Sequence, residues 1–234
     1  MVLGDIKIQV EQKRIKNVHL SVLPPKGNVR IAAPLHLSEE TIRLYAISKL
    51  SWIKKQQKKI RSQERESKRE FINKETHYFQ GRKYLMRVFE VNAPARVVIN
   101  KRFIDLYIRP KTNTKKRQAL LNAWYREQLR DLVAGYIGKW EKTISVKVGA
   151  FGIRSMKTKW GTCNIKAKRI WINLELAKKP LQCLEYLVVH EMVHLLERKH
   201  NERFLAYLNK FMPRWKSYRE ELNRLPVSHS DWEY

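Results

Sequence analysis

One stretch constrains this chain more than any other: Leu181 to Glu197, LQCLEYLVVHEMVHLLE. Pro180 stands just before it, and proline suits the start of a helix because its missing N–H would be unpaired there anyway. The stretch predicts a largely buried helix over 181–197. His190, Glu191 and His194 sit in it as H-E-x-x-H. Residues four apart share one helix face, so both imidazoles can reach a single metal ion. Glu191 lies about 100° round the helix, given ~3.6 residues per turn. It is beside such an ion rather than on it, where it can take a proton from a metal-activated water. Leu184, Leu187, Val188 and Val189 supply the apolar packing. A plain core helix would have to bury two imidazoles and a carboxyl here with nothing to satisfy them, which is costly.

Catalytic zinc usually takes three protein ligands and leaves the fourth position to water. His200, six residues after His194, is the candidate third ligand. Between them the chain must leave the helix, turn and return an imidazole. The metzincin form of this motif has Gly where this chain has Glu197. The turn is therefore built differently, with Lys199 and Asn201 as candidates to shape it. Glu202, Glu220 and Glu221 are rival third ligands.

The rest of the chain divides by periodicity. IKIQVE and NVHLSVLPPKGNVRIAAP place apolar residues at period two around a Pro-Pro-Lys-Gly turn, predicting a hairpin or meander. One long helix follows Ser38, its expected N-cap, with Ile42, Ala46, Leu50 and Ile53 as the apolar stripe. The charge-rich RSQERESKRE ends it as a frayed terminus or linker. Strands are expected in THYFQGRKYLMRVFEV, ARVVIN and FIDLYIRP. A long helix over 112–142 carries Leu121, Tyr125, Leu129, Leu132 and Tyr136 near one face. ISVKVGAFGIR reads as a strand, and KWGTCNIKAKRIWINLEL as a turn and then a strand. Two short helices flank Pro213, and the tail LPVSHSDWEY is expected to be mobile. There is no evident internal repeat. The expected class is α+β, a β-rich half leading into a more helical one. The expected domains are a basic β-rich subdomain over 1–110 with one long helix, a catalytic subdomain over 111–228, and a tail over 229–234.

Charge narrows the partners. Lys plus Arg number 49 against 22 Asp plus Glu, a net charge of +27. Such a surface is drawn to polyanions. From Lys142 through Leu174 there are eight basic residues and no acid, with Trp160 and Trp171 among them. Basic residues interleaved with aromatics can follow a phosphate backbone and stack bases; a solvated basic surface is the plainer reading. The Lys54–Arg69 segment is read as a solvated helix end. No apolar run approaches the ~20 residues a bilayer span needs, and MVLGDIKIQV lacks the pattern of a signal peptide. Cys163 and Cys183 are the only cysteines, too few for a disulfide framework. A reducing, cytoplasmic setting is expected.

Residues 156–215 resemble the YgjP-like metallopeptidases, relatives of the SprT-like and WLM zincins. The shared features are W-G-[ST]-C at Trp160 to Cys163, R-I-x-x-N-x-x-L at Arg169 to Leu176, H-E-x-x-H at His190 to His194, and H-x-x-x-F at His200 and Phe204. The resemblance implies a zincin-like catalytic half built on the H-E-x-x-H helix. It also implies zinc as the metal, His190, His194 and His200 as ligands, and Glu191 as catalytic base. In zincin-like folds a strand such as Ile170–Leu176 forms the sheet edge over the zinc, where an extended peptide can add; an interior strand is the other reading. Cys163 is read as a small buried hydrophobe rather than a ligand.

The expected function is therefore a zinc-dependent metallopeptidase that hydrolyses peptide bonds with metal-activated water. A peptide or protein is the expected substrate and nucleic acid a candidate partner; no membrane partner is expected. The competing reading is a non-enzymatic nucleic-acid-binding module with a structural zinc, which would close all four metal positions and leave Glu191 idle.

Overall fold

The computed structural model describes residues 1–23, 26–62, 69–156 and 159–224. The Pro-Pro pair, most of RSQERESKRE, Lys157 of the basic run and the tail LPVSHSDWEY lie outside them. The described residues form two compact units, 1–62 and 69–224.

In the first unit, β1 (Val2–Leu3), β2 (Ile6–Lys13), β3 (His19–Leu23) and β4 (Asn28–Pro34) form a sheet in the order β1-β2-β4-β3. Alternation decides the faces: Ile6 and Ile8 are buried while Lys7 and Gln9 are not. β3 and β4 pair antiparallel as the expected hairpin, while β2 runs parallel to β4, so the segment is no meander. Gly27 closes the β3–β4 turn at φ 80°, a left-handed conformation that glycine adopts without strain, and its N–H donates to the Leu23 carbonyl at 2.9 Å. Ser38 caps the helix that follows by accepting from Thr41 N at 3.2 Å. That helix is not continuous. It breaks at Lys49 into α1 (Glu39–Ser48) and α2 (Leu50–Ser62), because Lys49 leaves the helical conformation at ψ 5°. The apolar stripe survives the break: Ile42, Ala46 and Ile53 are buried against Ile8 and Ile31, with Leu50 at the margin.

In the second unit, β5 (Thr76–Phe79), β6 (Arg82–Glu90), β7 (Arg96–Asn100) and β8 (Phe103–Ile108) form a sheet in the order β5-β6-β8-β7. β6 and β8 are parallel; the other pairs are antiparallel. This repeats the strand order and pairing senses of the first sheet, a repetition of topology with no visible counterpart in the sequence. α3 (Thr114–Ile144) follows, capped by Asn113, whose side chain accepts from Lys116 N at 2.9 Å. Its buried stripe is Leu121, Tyr125, Leu129, Val133, Ile137 and Trp140. The expected face departs at its end: Leu132 and Tyr136 are only partly buried, because the buried stripe keeps a four-residue step through Val133 and Ile137 where the expected face steps by three.

β9 (Ala150–Arg154), β10 (Gly161–Asn164) and β11 (Arg169–Asn173) make a third sheet, order β10-β11-β9. A 3-10 turn (Leu174–Lys178) leads into α4 (Leu181–Val193), then α5 (Glu202–Phe211) and α6 (Trp215–Arg224). The chain is thus α+β, strand-rich at the front and helical behind. The seam expected near residue 110 falls inside the second unit, because strands β5–β8 share their core with α3 and α4: Met86, Ile104 and Leu106 belong to the same buried cluster as Leu129 and Val188. Backbone bonds reinforce this. Gln80 N donates to the Ala177 carbonyl at 2.8 Å and Gly81 N to that of Lys178 at 3.2 Å. Gly81 sits at φ 78°, and a Cβ there would come within 2.8 Å of Pro180 Cγ. The β5–β6 turn is therefore seated at the head of α4.

Candidate metal centre

α4 starts behind Pro180 and is buried almost all round, from Cys183 through Val193. Burial of this kind overrides the weak helix preference of its paired valines. The helix ends earlier than expected, at Val193, with His194 as its C-cap. The next turn tightens: Leu195 N reaches the Met192 carbonyl at 3.0 Å, and Leu196 N that of Val193 at 2.9 Å. Glu197 then shapes the return. Its backbone carbonyl lies 3.2 Å from His194 Nδ1, and its carboxylate accepts from Lys199 N at 3.2 Å. Asn201 starts α5 by accepting from Phe204 N at 3.0 Å. These residues do the work that a glycine does in the metzincin turn.

The turn brings His200 back to the helix. Its Nε2 stands 3.0 Å from His190 Nε2. One ring nitrogen from each of His190, His194 and His200 lies within 4.8 Å of the others. Glu202, Glu220 and Glu221 are not part of this grouping; Glu221 instead accepts from Gln182 Nε2 at 3.2 Å. Phe204, buried to 1% exposure, packs on all three imidazoles with ring centroids 5.0, 4.7 and 4.7 Å away.

The donor set fits a zinc ion. Two nitrogens ~2.0–2.1 Å from a tetrahedral zinc stand roughly 3.3–3.4 Å apart, between the 3.0 Å pair and the 4.8 Å limit of the triad. Two ring nitrogens at 3.0 Å need a proton or a cation between them. Burial pushes His190 down to about 3, helped by His194 and His200, and burial also lowers His194. Protonation is thus disfavoured and the neutral, ligating imidazole favoured. The Nδ1 sides are held as well. Tyr186 Oη lies 3.5 Å from His190 Nδ1, and the Glu197 carbonyl takes that place for His194. Both contacts turn Nε2 toward the centre. Sequence reasoning misses Tyr186; its only signal is its place one turn before His190.

Glu191 is 4% exposed and accepts no hydrogen bond from any described residue. Its Oε1 faces Gly161 so closely that a Cβ on that glycine would stand 2.7 Å from it. Burial pushes the carboxyl up to about 8, while Lys159 pulls the other way; a divalent cation among the imidazoles would pull it down further. Cys163 lies outside the triad, and burial, then Glu191, raise its thiol to about 11.

Triad and Glu191 line a cleft of about 830 Å³ together with Gly161, Thr162, Cys163 and Asn164 of β10. Sheet order settles which strand is the edge. β11, with the Ile170–Asn173 run, is central, and β10, expected as a turn, is the edge strand that lines the cleft, with β9 at the other edge. Asn173 fixes the approach to β10: its side-chain amide donates to the carbonyls of Met156 at 2.9 Å and Lys159 at 2.8 Å.

No helix among the described residues is long and apolar enough to cross a membrane. No curated protein matches the chain. Solved structures resemble part of it, among them two metallopeptidase zymogens. The metallopeptidase zymogen abylysin of Pyrococcus abyssi is 19% identical, with 42% of this chain and 99% of that one covered and a TM-score of 0.35. The zymogen of Methanocaldococcus jannaschii jannalysin is 18% identical, with 40% and 92% covered and a TM-score of 0.33. A family model for the YgjP-like metallopeptidase domain matches residues 16–225, a span that includes His190, Glu191, His194 and His200. The chain belongs to the YgjP-like metallopeptidase family.

Proposed function

We propose that this metallopeptidase is a zinc enzyme of zincin type in which His190, His194 and His200 hold the ion and Glu191 is the general base. The observation that carries this reading is the convergence of three imidazoles beside a buried carboxyl group that has no protein hydrogen-bond partner among the described residues. When bound, zinc supplies Lewis acidity that polarises a carbonyl and acidifies a water. Glu191 takes the proton of the attacking water on its carboxylate and passes it to the leaving amine. Phe204 and the surrounding core hold the imidazoles in place and keep bulk water away from their inner faces. β10 offers its free edge to an extended peptide, whose backbone N–H and C=O groups pair along it. A structural zinc is disfavoured because such sites close four positions, often with cysteine, and neither cysteine joins the triad. The free thiols fit a reducing, cytoplasmic setting.

A peptide-library digest tests this reading. Cleavage should vanish with chelator and return with added zinc; cleavage that persists with chelator would overturn it. Gly161→Ala probes the placement of the base. The added methyl must displace the Glu191 carboxylate, and a shift of ~1 Å at a reacting group costs on the order of 10²-fold in rate. Zinc content should be unchanged.

Contact with nucleic acid is a second reading, favoured by one feature. The Trp171 ring lies across Gly152 so closely that a Cβ there would meet it at 2.3 Å. The guanidinium groups of Arg154 and Arg169 stand 4.8 and 5.7 Å from the ring. A partly exposed indole with two cations beside it is a platform on which a base can stack. Trp160 is no such platform, since it packs against the core. Replacing both arginines with Gln should flatten the salt dependence of single-strand binding by a slope of roughly 0.7 for each phosphate that is no longer neutralised. An unchanged slope, or no binding at low salt, would sink this reading.

A further inference from the structure

The cleft carries more charge than the reaction uses. Besides the triad and Glu191, its ionisable lining is Lys159, Lys166, Arg198 and Cys163. Cys163 is neutral, because burial raises its thiol to about 11. Glu191 is buried against Gly161, so the exposed charges a substrate meets are all positive. Their positions are ordered. Lys159 stands just before the edge strand β10 and Lys166 just after it. Arg198 lies in the turn between His194 and His200, on the side of the cleft formed by the end of α4. None of the three ion-pairs with a carboxylate among the described residues. Cations elsewhere in this unit do: Lys139 with Glu185 at 2.7 Å, Lys147 with Glu141 at 2.6 Å and Lys178 with Glu175 at 2.9 Å. A cleft with low-dielectric walls concentrates such uncompensated charge and raises the local concentration of anions.

We propose that this cleft selects acidic polypeptide, with Lys159, Lys166 and Arg198 receiving Asp or Glu side chains on either side of the scissile bond. The inference rests on the peptidase reading and names its substrate class. The free edge of β10 decides between polyanions. Its unpaired N–H and C=O groups match a polypeptide backbone, whereas a sugar–phosphate strand offers no complementary ladder. An extended chain alternates its side chains, so residues two apart face the same wall. Acidic residues on both sides of the cleaved bond can then reach the cations at the two ends of β10 while Arg198 meets the chain from the opposite wall. Each exposed ion pair is worth a factor of roughly two to five, so three together give about tenfold or more.

The test uses the full chain and three fluorogenic peptides identical except at the residues flanking the cleaved bond, which are Glu, Gln or Lys. At low salt kcat/KM should fall in the order Glu, Gln, Lys, with about a tenfold step from Glu to Gln, and the step should shrink as salt rises. In Lys159→Gln/Lys166→Gln/Arg198→Gln the Glu-to-Gln ratio should approach one. Equal rates for the Glu and Gln peptides, or a ratio that survives in the triple variant, would overturn the inference. A second measurement separates this outcome from failure of the peptidase reading. Glu191→Gln protein should bind a labelled Glu-rich decapeptide in fluorescence anisotropy more tightly than a Gln-rich one, whether or not the parent turns over. If an oligo-dT of equal charge displaces the Glu-rich peptide more effectively than unlabelled peptide does, the cleft is a nucleic-acid site and the inference fails.

Discussion

Glu191→Gln is expected to lower kcat/KM for every cleaved peptide by ~10²–10⁴-fold, the usual contribution of a positioned acid–base group, while zinc content stays unchanged. Gln fills the same space beside Gly161 but cannot accept the water's proton. The fold should not suffer. Burial already favours the neutral carboxyl of Glu191, and an amide is neutral at every pH. The melting temperature should therefore hold or rise. A variant that keeps full activity but melts earlier would assign Glu191 to packing alone and place the general base elsewhere.

The second large effect concerns the ligands. His190→Ala, His194→Ala and His200→Ala should each remove most bound zinc, a heavier loss than the ~10–100-fold in affinity that follows when only a ligand's hydrogen-bond partner is changed. His200→Ala is the cleanest of the three. Its side chain is exposed, so truncation leaves no core cavity and folding should be intact by circular dichroism. Loss of zinc can then be read as loss of a ligand. Full zinc occupancy in His200→Ala would move the third ligand elsewhere, with Glu202 as the nearest in sequence. His190 is partly buried and its ring packs against Phe204 and Tyr186, so His190→Ala needs a stability measurement beside the metal analysis.

Local signals were the legible ones. Pro180 marks the start of α4, Ser38 the cap of α1, and the spacing of His190, His194 and His200 lets one helix and one turn bring three imidazoles together. Partner choice between distant strands was not legible. Alternation says which face of a strand is buried, not which strand lies beside it. Hence β2 pairs parallel with β4 instead of continuing a meander, and β10 rather than β11 forms the edge. β10 reads as a turn because its four residues, Gly161–Asn164, contain no aliphatic side chain. The seam near residue 110 follows a change from strands to helix, yet compact units are set by shared cores, and β5–β8 share theirs with α3. Gly161 carries no periodic signal at all. Its role beside Glu191 exists only once β10 and α4 are packed together.

X-ray absorption at the zinc edge of the purified, zinc-loaded protein tests the central claim most directly. Three histidine nitrogens and an open fourth position should appear as a nitrogen and oxygen shell at ~2.0–2.1 Å, with imidazole scattering and no sulfur. His200→Ala should lose one imidazole from that shell or fail to load. A sulfur contribution near ~2.3 Å, four protein ligands, or no stoichiometric zinc would contradict a catalytic centre built from His190, His194 and His200.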